Sequence, residues 1–422
     1  MTQSSRLYFA LMVLLGPLSV GCRNQLLLGL PPVIETAPAP TCESTTGQSE
    51  YRATRLKRRR ATQGWVLNLG KDGTSYAVKN VGPSGAEVVS AVNTPSGEMV
   101  LVGSTLAPTE VCEQPLLIVL GLDGRERMLS VLPLSGRLLS ALPLGDGGFL
   151  VGGVTEKLER DSLPFGFIAR LTASGEVSWS RVAQGLRGGV VAIRKQGERA
   201  VLVGVSSGDT WLIETDWNGN LVSLEPIAEF ESRAQLLELG GTWLLFGLSQ
   251  SFSSGARTLP AVVRLDADGK VIKRQYFRLG VTNYGTFDTA ARLPNSEILA
   301  GGRLDDDMLN SACFTRLNAR GEESWHGCLH ASASITALMP MLSERAAVCL
   351  QTEIYDRELR MSVPASELQL VWFRNKKLAA FPLEMSGAKM TACNSITMLP
   401  NGNVVVLGAG QWLAMANEVP SQ

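Results

Sequence analysis

With 39 basic and 39 acidic side chains among 422 residues, the chain has no formal net charge, so nothing global draws it to nucleic acid. Apolar residues make up 45% and aromatics 6%, with 43 Gly, a composition that suits many short strands and tight turns and excludes a largely disordered chain. The two His residues leave a Ser/His/Asp triad little material.

From the N-terminus, a single positive charge at Arg6 precedes an apolar run from Leu7 to Leu15. That is the pattern of a secretory signal, and the run is shorter than the ~20 apolar residues that span a bilayer. Residues 1–21 are therefore assigned to a signal peptide. The segment ends in Leu18-Ser-Val-Gly-Cys22, which resembles a bacterial lipobox. The resemblance implies acylation of Cys22 and attachment of the mature chain to a membrane. Arg23 rather than Asp follows the Cys, which by the same resemblance implies the outer membrane rather than the inner one. An ordinary cleavage nearby would give a secreted protein instead. Either way the chain leaves the cytoplasm.

Residues 22–63 show no sustained periodicity; Pro31, Pro32, Pro38 and Pro40 interrupt the one apolar run, and polar residues follow. This composition predicts a flexible linker. Arg55-Leu-Lys-Arg-Arg-Arg60 is the strongest charge run. It reads either as a solvated segment or as an attraction to anionic lipid or polysaccharide.

A period emerges from Gly64. The Gly of a tight polar turn, or its substitute, falls at Gly73, Gly124, Gly175, Gly219, Gly269, Gly321 and Lys376, spaced by 51, 51, 44, 50, 52 and 55 residues. Pairs such as Asp123-Gly124 and Asn218-Gly219 accept the positive φ of a hairpin turn. An apolar or alternating stretch precedes each, such as Trp65 to Leu69, Leu116 to Leu120 and Ala261 to Leu265, and is read as the first strand of a unit. A second turn follows 22 to 27 residues later, for instance at Gly97, Gly147 and Gly402. It opens the most apolar strand, such as Met99 to Gly103 or Val404 to Gly408, which ends in Gly in six of seven units. Strands that are apolar throughout belong in an interior covered on both faces, and the Gly predicts a place where backbones crowd.

Seven units of four strands predict an all-β fold, a seven-bladed β-propeller of four-stranded antiparallel blades over residues 64–417, with 418–422 as a tail. Gln411 to Ala416 looks like an eighth copy of the first strand. It is expected to close the ring by completing a blade shared with the N-terminal repeat. Gly64 to Ala416 resembles the secreted and surface β-propeller repeat proteins of bacteria, whose units carry a strand ending in Leu-Asp-x-x-Gly. Arg264-Leu-Asp-Ala-Asp-Gly269 and Arg170-Leu-Thr-Ala-Ser-Gly175 are the best copies, and Phe373-Arg-Asn-Lys376 departs most. The resemblance implies a fold and no activity.

On a strand, His326, Cys328 and His330 share one face, a candidate three-ligand zinc or copper site. Cys328 also stands nearly symmetrically with Cys313 about the turn at Gly321, a spacing that fits a cross-strand disulfide. Cys42 with Cys112, and Cys349 with Cys393, are two further candidate bridges. Asp305-Asp-Asp307 reads as a run of Ca²⁺ ligands or as a solvated acidic turn. The eight Trp residues read as packing between blades or as a stacking platform for sugars or a quinone. No His-Glu-x-x-His, phosphate loop or dinucleotide fingerprint is present. The sequence therefore points to an envelope-anchored binding or scaffold module for a protein or glycan, with no cofactor and no nucleic-acid partner. A propeller hydrolase, lyase or quinone-dependent oxidoreductase with its site in the central channel is the alternative.

Overall fold

The computed structural model describes residues 33–35 and 63–412, apart from 70–75, 107–111, 156–163, 185, 207–208, 228, 233–235, 252–256, 278–283, 294, 307–308, 343, 357–360, 375–376, 383–387 and 400–402. Every described element is a strand. The turn glycines Gly124, Gly175, Gly219, Gly269 and Gly321 have φ between 71° and 83°, which L side chains adopt at a cost. The Gly124 amide closes its turn on the Gly121 carbonyl at 2.8 Å.

Strand pairing sorts the chain into seven four-stranded antiparallel blades. Blade 1 consists of Glu87–Asn93, Met99–Leu106, Glu113–Leu120 and Glu126–Val131, from the channel outward. Blades 2 and 3 open on inner strands Arg137–Pro143 and Gly189–Gln196. Blade 4 has its inner strand in two pieces, Phe230–Ser232 and Leu237–Leu239. Blade 5 opens on Tyr284–Arg292. The 20-residue strand Glu323–Leu342 then serves twice, first as the outer strand of blade 5 and then as the inner strand of blade 6.

This pairing corrects the frame read from the period. Leu116 to Leu120 lies in the third strand of its blade, between Met99–Leu106 and Glu126–Val131. The physical reason is that a period has no origin: both hairpin types recur equally often, and only long-range pairing says which opens a blade. Blade 7 is consequently built from both ends of the fold. Ala388–Met398 and Val404–Trp412 supply its inner half, and Gln63–Leu69 and Tyr76–Ser84 its outer half. The seam runs from Gln63 opposite Gly410 to Leu69 opposite Val404. Gln411 and Trp412, expected to begin an eighth copy, prolong Val404–Trp412 and face Lys389 and Ala388 instead; 413–416 lie outside the described residues. The linker reading also changes locally. Val33–Glu35 pairs antiparallel with Val182 to Gln184 and adds a fifth strand to the outer edge of blade 2.

The core is a ring of seven apolar layers, one in each space between neighbouring blades. Alternation along each second strand explains this: Val100 and Val102 face blade 2, while Leu101 faces blade 7. That is why these strands are apolar at every position. Trp65 packs in the layer between blades 6 and 7, only 1% exposed. Antiparallel connectivity gathers all the tight turns at one end of the ring and the second-to-third connections and the links between blades at the other.

Candidate functional site

The inner strands share one irregularity. In blades 1, 2, 3, 5, 6 and 7 the register slips by one residue, leaving Val89, Leu139, Val191, Asp288, Thr336 and Asn394 as the extra residues of β-bulges. Blade 4 is interrupted near the same place, between Ser232 and Leu237. The residue before the bulge faces Gly on the second strand in six blades: Val88 faces Gly103, Leu138 Gly153, Val190 Gly204, Ser232 Gly247, Phe287 Gly302 and Cys393 Gly408. A Cβ on Gly103, Gly247 or Gly302 would strike the backbone carbonyl of Glu87, Glu231 or Thr286. The Gly ending the apolar strand therefore makes room for the inner strand's kink. Blade 6 places Leu350 there instead.

The six bulged residues and Leu237 of blade 4 surround a central cavity of about 420 Å³, so every blade contributes to one site. All six are half-buried. Among the described lining residues only Asp288 and Arg292 are charged. Thr286 donates to Asp288 Oδ1 at 3.1 Å, and Arg292 donates to Ser296 Oγ at 3.1 Å near the turn end. Polar side chains also join neighbouring blades around the wall. Ser140 donates to the Val190 carbonyl at 3.1 Å, Thr336 to that of Cys393 at 3.2 Å, and Asn394 to that of Val88 at 2.8 Å. The arrangement can hold a ligand through apolar contact, hydrogen bonds and one carboxylate.

At the turn end the carboxylates are held by local donors. Asp146 lies below its usual range, chiefly through the Gly148 amide and then Arg170, whose guanidinium approaches it at 2.6 Å. Asp216 is lowered by the Asn220 side chain and amide, Asp123 by the Arg125 amide, and Glu322 by the Asn318 side chain. Farther round the ring, Arg194 of blade 3 donates to the Leu236 carbonyl at 3.1 Å, and burial depresses its guanidinium against the raising effect of Glu238.

The residues singled out in the sequence fall elsewhere. Cys313 and Cys328 face each other across blade 5 and are bonded, with Cα atoms 4.1 Å apart. This removes the sulfur from the His326, Cys328, His330 set, because a disulfide has no thiolate to give a metal. His326 Nδ1 instead lies 2.6 Å from Glu323 Oε1, and the side chain of His330 is outside the described residues. Among the described residues no group of three His, Cys, Asp or Glu could hold a metal ion. Cys349 and Cys393 are bonded between blades 6 and 7, with Cα atoms 5.7 Å apart. Cys112 is buried and disulfide-bonded, while Cys42, like Cys22 and Arg55 to Arg60, lies outside the described residues. So do the side chains of Asp305, Asp306 and Asp307. Such bonds persist outside the reducing cytoplasm and mark an extracytoplasmic protein. No Trp lines the channel among the described residues; Trp65, Trp211 and Trp243 are core, and the exposed Trp372, in the third strand of blade 6, packs against Arg345 at 3.8 Å.

No protein-family model matches the sequence, and no curated protein matches it. Its fold is similar to that of several solved structures. A protein of unknown function from Bacteroides caccae is 14% identical, with a TM-score of 0.42 over 64% of this chain and 95% of that one. Drosophila Plexin A in complex with Semaphorin 1b is 8% identical, with a TM-score of 0.47 over 76% of this chain and 85% of that one. The β-propeller domain of the Trilobed protease from Pyrococcus furiosus is 9% identical, with a TM-score of 0.42 over 79% of this chain and 98% of that one. At such values the likenesses carry no function, and the seven-bladed architecture rests on the strand pairing itself.

Proposed function

We propose that this chain is an envelope-anchored β-propeller, held at the outer membrane through lipidated Cys22, that acts as a binding or scaffold module for a protein or glycan partner. A binding role is supported by the channel, where all seven blades contribute residues to one cavity of about 420 Å³ whose wall is part aliphatic and part polar. The signal pattern and Cys22 support the anchor, and the disulfides support an oxidising compartment.

Two measurements test this. Fatty-acid labelling of intact cells should mark the full chain and be lost in Cys22→Ser, which should leave the membrane fraction. A photo-crosslinking amino acid placed at Leu139 in the channel, or at Phe165 at the opposite end from the tight turns, should give a discrete adduct in the envelope. Unlabelled wild-type chain would refute the anchor, and the absence of adducts from both positions would refute the binding role.

A further inference from the structure

The channel's own chemistry separates the two partner classes, on the premise that the binding role just proposed is correct. Around the ring the wall changes character. At the level of the bulges and of the break in blade 4, blades 1 to 4 present Val89, Leu139, Val191 and Leu237, and blades 5 to 7 present Asp288, Thr336 and Asn394, while Leu338, Met339 and Ile396 also line the cavity away from that level. Asp288 is the one carboxylate among the described lining residues. Arg292 sits four positions along the same strand, roughly 13 Å away at ~3.3 Å per residue, and is engaged with Ser296. No aromatic ring lines the cavity among the described residues. A sugar is ordinarily held by a flat aromatic surface against its C–H face as well as by polar groups at its edge, and only the polar groups are present.

An extended peptide matches what is there. Each inner strand ends its blade on the channel side, and apart from the Val88, Val190 and Cys393 carbonyls, taken by side chains of the preceding blades, and the bridge of Tyr284 to Thr258, its edge can offer backbone donors and acceptors to a further chain. Successive side chains of an extended segment point to opposite sides. One can meet the aliphatic arc while the next meets the carboxylate. We propose that the channel binds a short extended peptide segment in which an aliphatic residue adjoins a Lys or Arg, the aliphatic side chain against Val89, Leu139 and Val191 and the cation toward Asp288. The cavity volume lies within the roughly 300–1,000 Å³ of ligand pockets.

The probes are acetylated, amidated tetrapeptides of sequence Ala-Leu-X-Ala, with X as Lys, Glu or norleucine, and cellohexaose as the glycan. Calorimetric titration of the full mature chain should show the Lys peptide binding about tenfold more tightly than the norleucine peptide, the scale of a hydrogen bond to a charged group, with the Glu peptide weaker still. Asp288→Asn should erase the preference for Lys while its melting curve remains that of the wild type. A photo-leucine version of the Lys peptide should cross-link to Glu87–Asn93, Arg137–Pro143 or Gly189–Gln196 of the wild-type chain, a readout that stands if the variant does not fold. Equal affinities, cross-links confined to the outer surface, or binding of cellohexaose without the peptides would each overturn the inference. A partner cross-linked only through Phe165 would also overturn it and leave the broader binding role intact.

Discussion

Asn394 Nδ2 donates to the carbonyl oxygen of Val88 at 2.8 Å, a bond that spans 306 residues of sequence and joins the last blade to the first. Thr336 to Cys393 and Ser140 to Val190 follow the same rule, each carbonyl belonging to the residue just before a bulge. The inner edge has no ladder partner, so these carbonyls depend on a side chain from the preceding blade. Asn394→Leu keeps the size and removes the donor. It should cost about 1–3 kcal/mol in denaturant unfolding, with the m-value unchanged. A neutral outcome would mean that water serves the Val88 carbonyl equally well.

The Gly opposite each bulge allows a sharper comparison. In Gly103→Ala the new Cβ meets the backbone carbonyl of Glu87, which cannot swing aside as a side chain would. In Gly124→Ala the cost is conformational, since φ is 71° and nothing lies within 4 Å of the new atom. We expect a loss of up to about 3 kcal/mol for the first and about 1 kcal/mol for the second, measured by thermal melting. If the two changes cost the same, the crowding account fails.

These glycines also mark how far the sequence can be read. Turn chemistry and burial on both faces are local properties, so Asp123-Gly124 and Met99 to Gly103 reveal their roles directly. The blade frame is not local: a blade shared by both ends is expected from the sequence, but Trp65 looks like Leu116, and only its pairing with Gly408 shows which strands that blade joins. The channel residues escape a reading of the sequence because a one-residue bulge leaves no compositional mark on Val89, Thr336 or Asn394. Their signal is indirect, lying in the Gly of the next strand. Val33–Glu35 is too short to show any period.

The disulfide Cys349–Cys393 closes a separation of 44 residues and ties blade 6 to the seam blade, whereas Cys313–Cys328 closes 15 within blade 5. On loop-closure entropy the first should contribute about 4 kcal/mol and the second about 3 kcal/mol. Paired Cys→Ala variants compared in guanidinium should show the larger loss for 349 and 393. The reverse order would show that native packing, rather than unfolded-chain entropy, governs these bonds.

Acid should weaken the turn end first. Asp216 is held below the ordinary carboxylate range by the Asn220 side chain and amide, and Asp146 by the Gly148 amide and Arg170. A carboxyl lowered in the fold contributes stability above its unfolded value of about 3.9, and that contribution is lost as pH falls through the folded value. Asp216→Ala should therefore melt below the wild type at pH 7, with the gap closing as pH falls below the unfolded value and through the lowered folded one. A gap that persisted in acid would assign the effect to lost packing. Asp146 is about half exposed, so added salt should weaken the contribution of Arg170 to its carboxylate.

Ring closure can be tested by truncation, because the seam has a definite end. The pairs that join the two halves of blade 7 run from Leu69 opposite Val404 to Gln63 opposite Gly410, and Gln411 and Trp412 pair only with the inner strand. Removing 411–422 therefore leaves every seam pair in place, and the melting temperature should remain close to that of the intact chain. Removing 404–422 exposes Trp65, Leu67 and the inner strand Ala388–Met398, and opens the apolar layers on both sides of blade 7. That chain should lose its cooperative transition. Adding Val404–Trp412 back as a peptide should restore part of it, since the strand pairs noncovalently with both neighbours. A large loss from the shorter truncation would place the closure beyond Gly410, and a cooperative transition surviving the longer one would show that six blades close without the seventh.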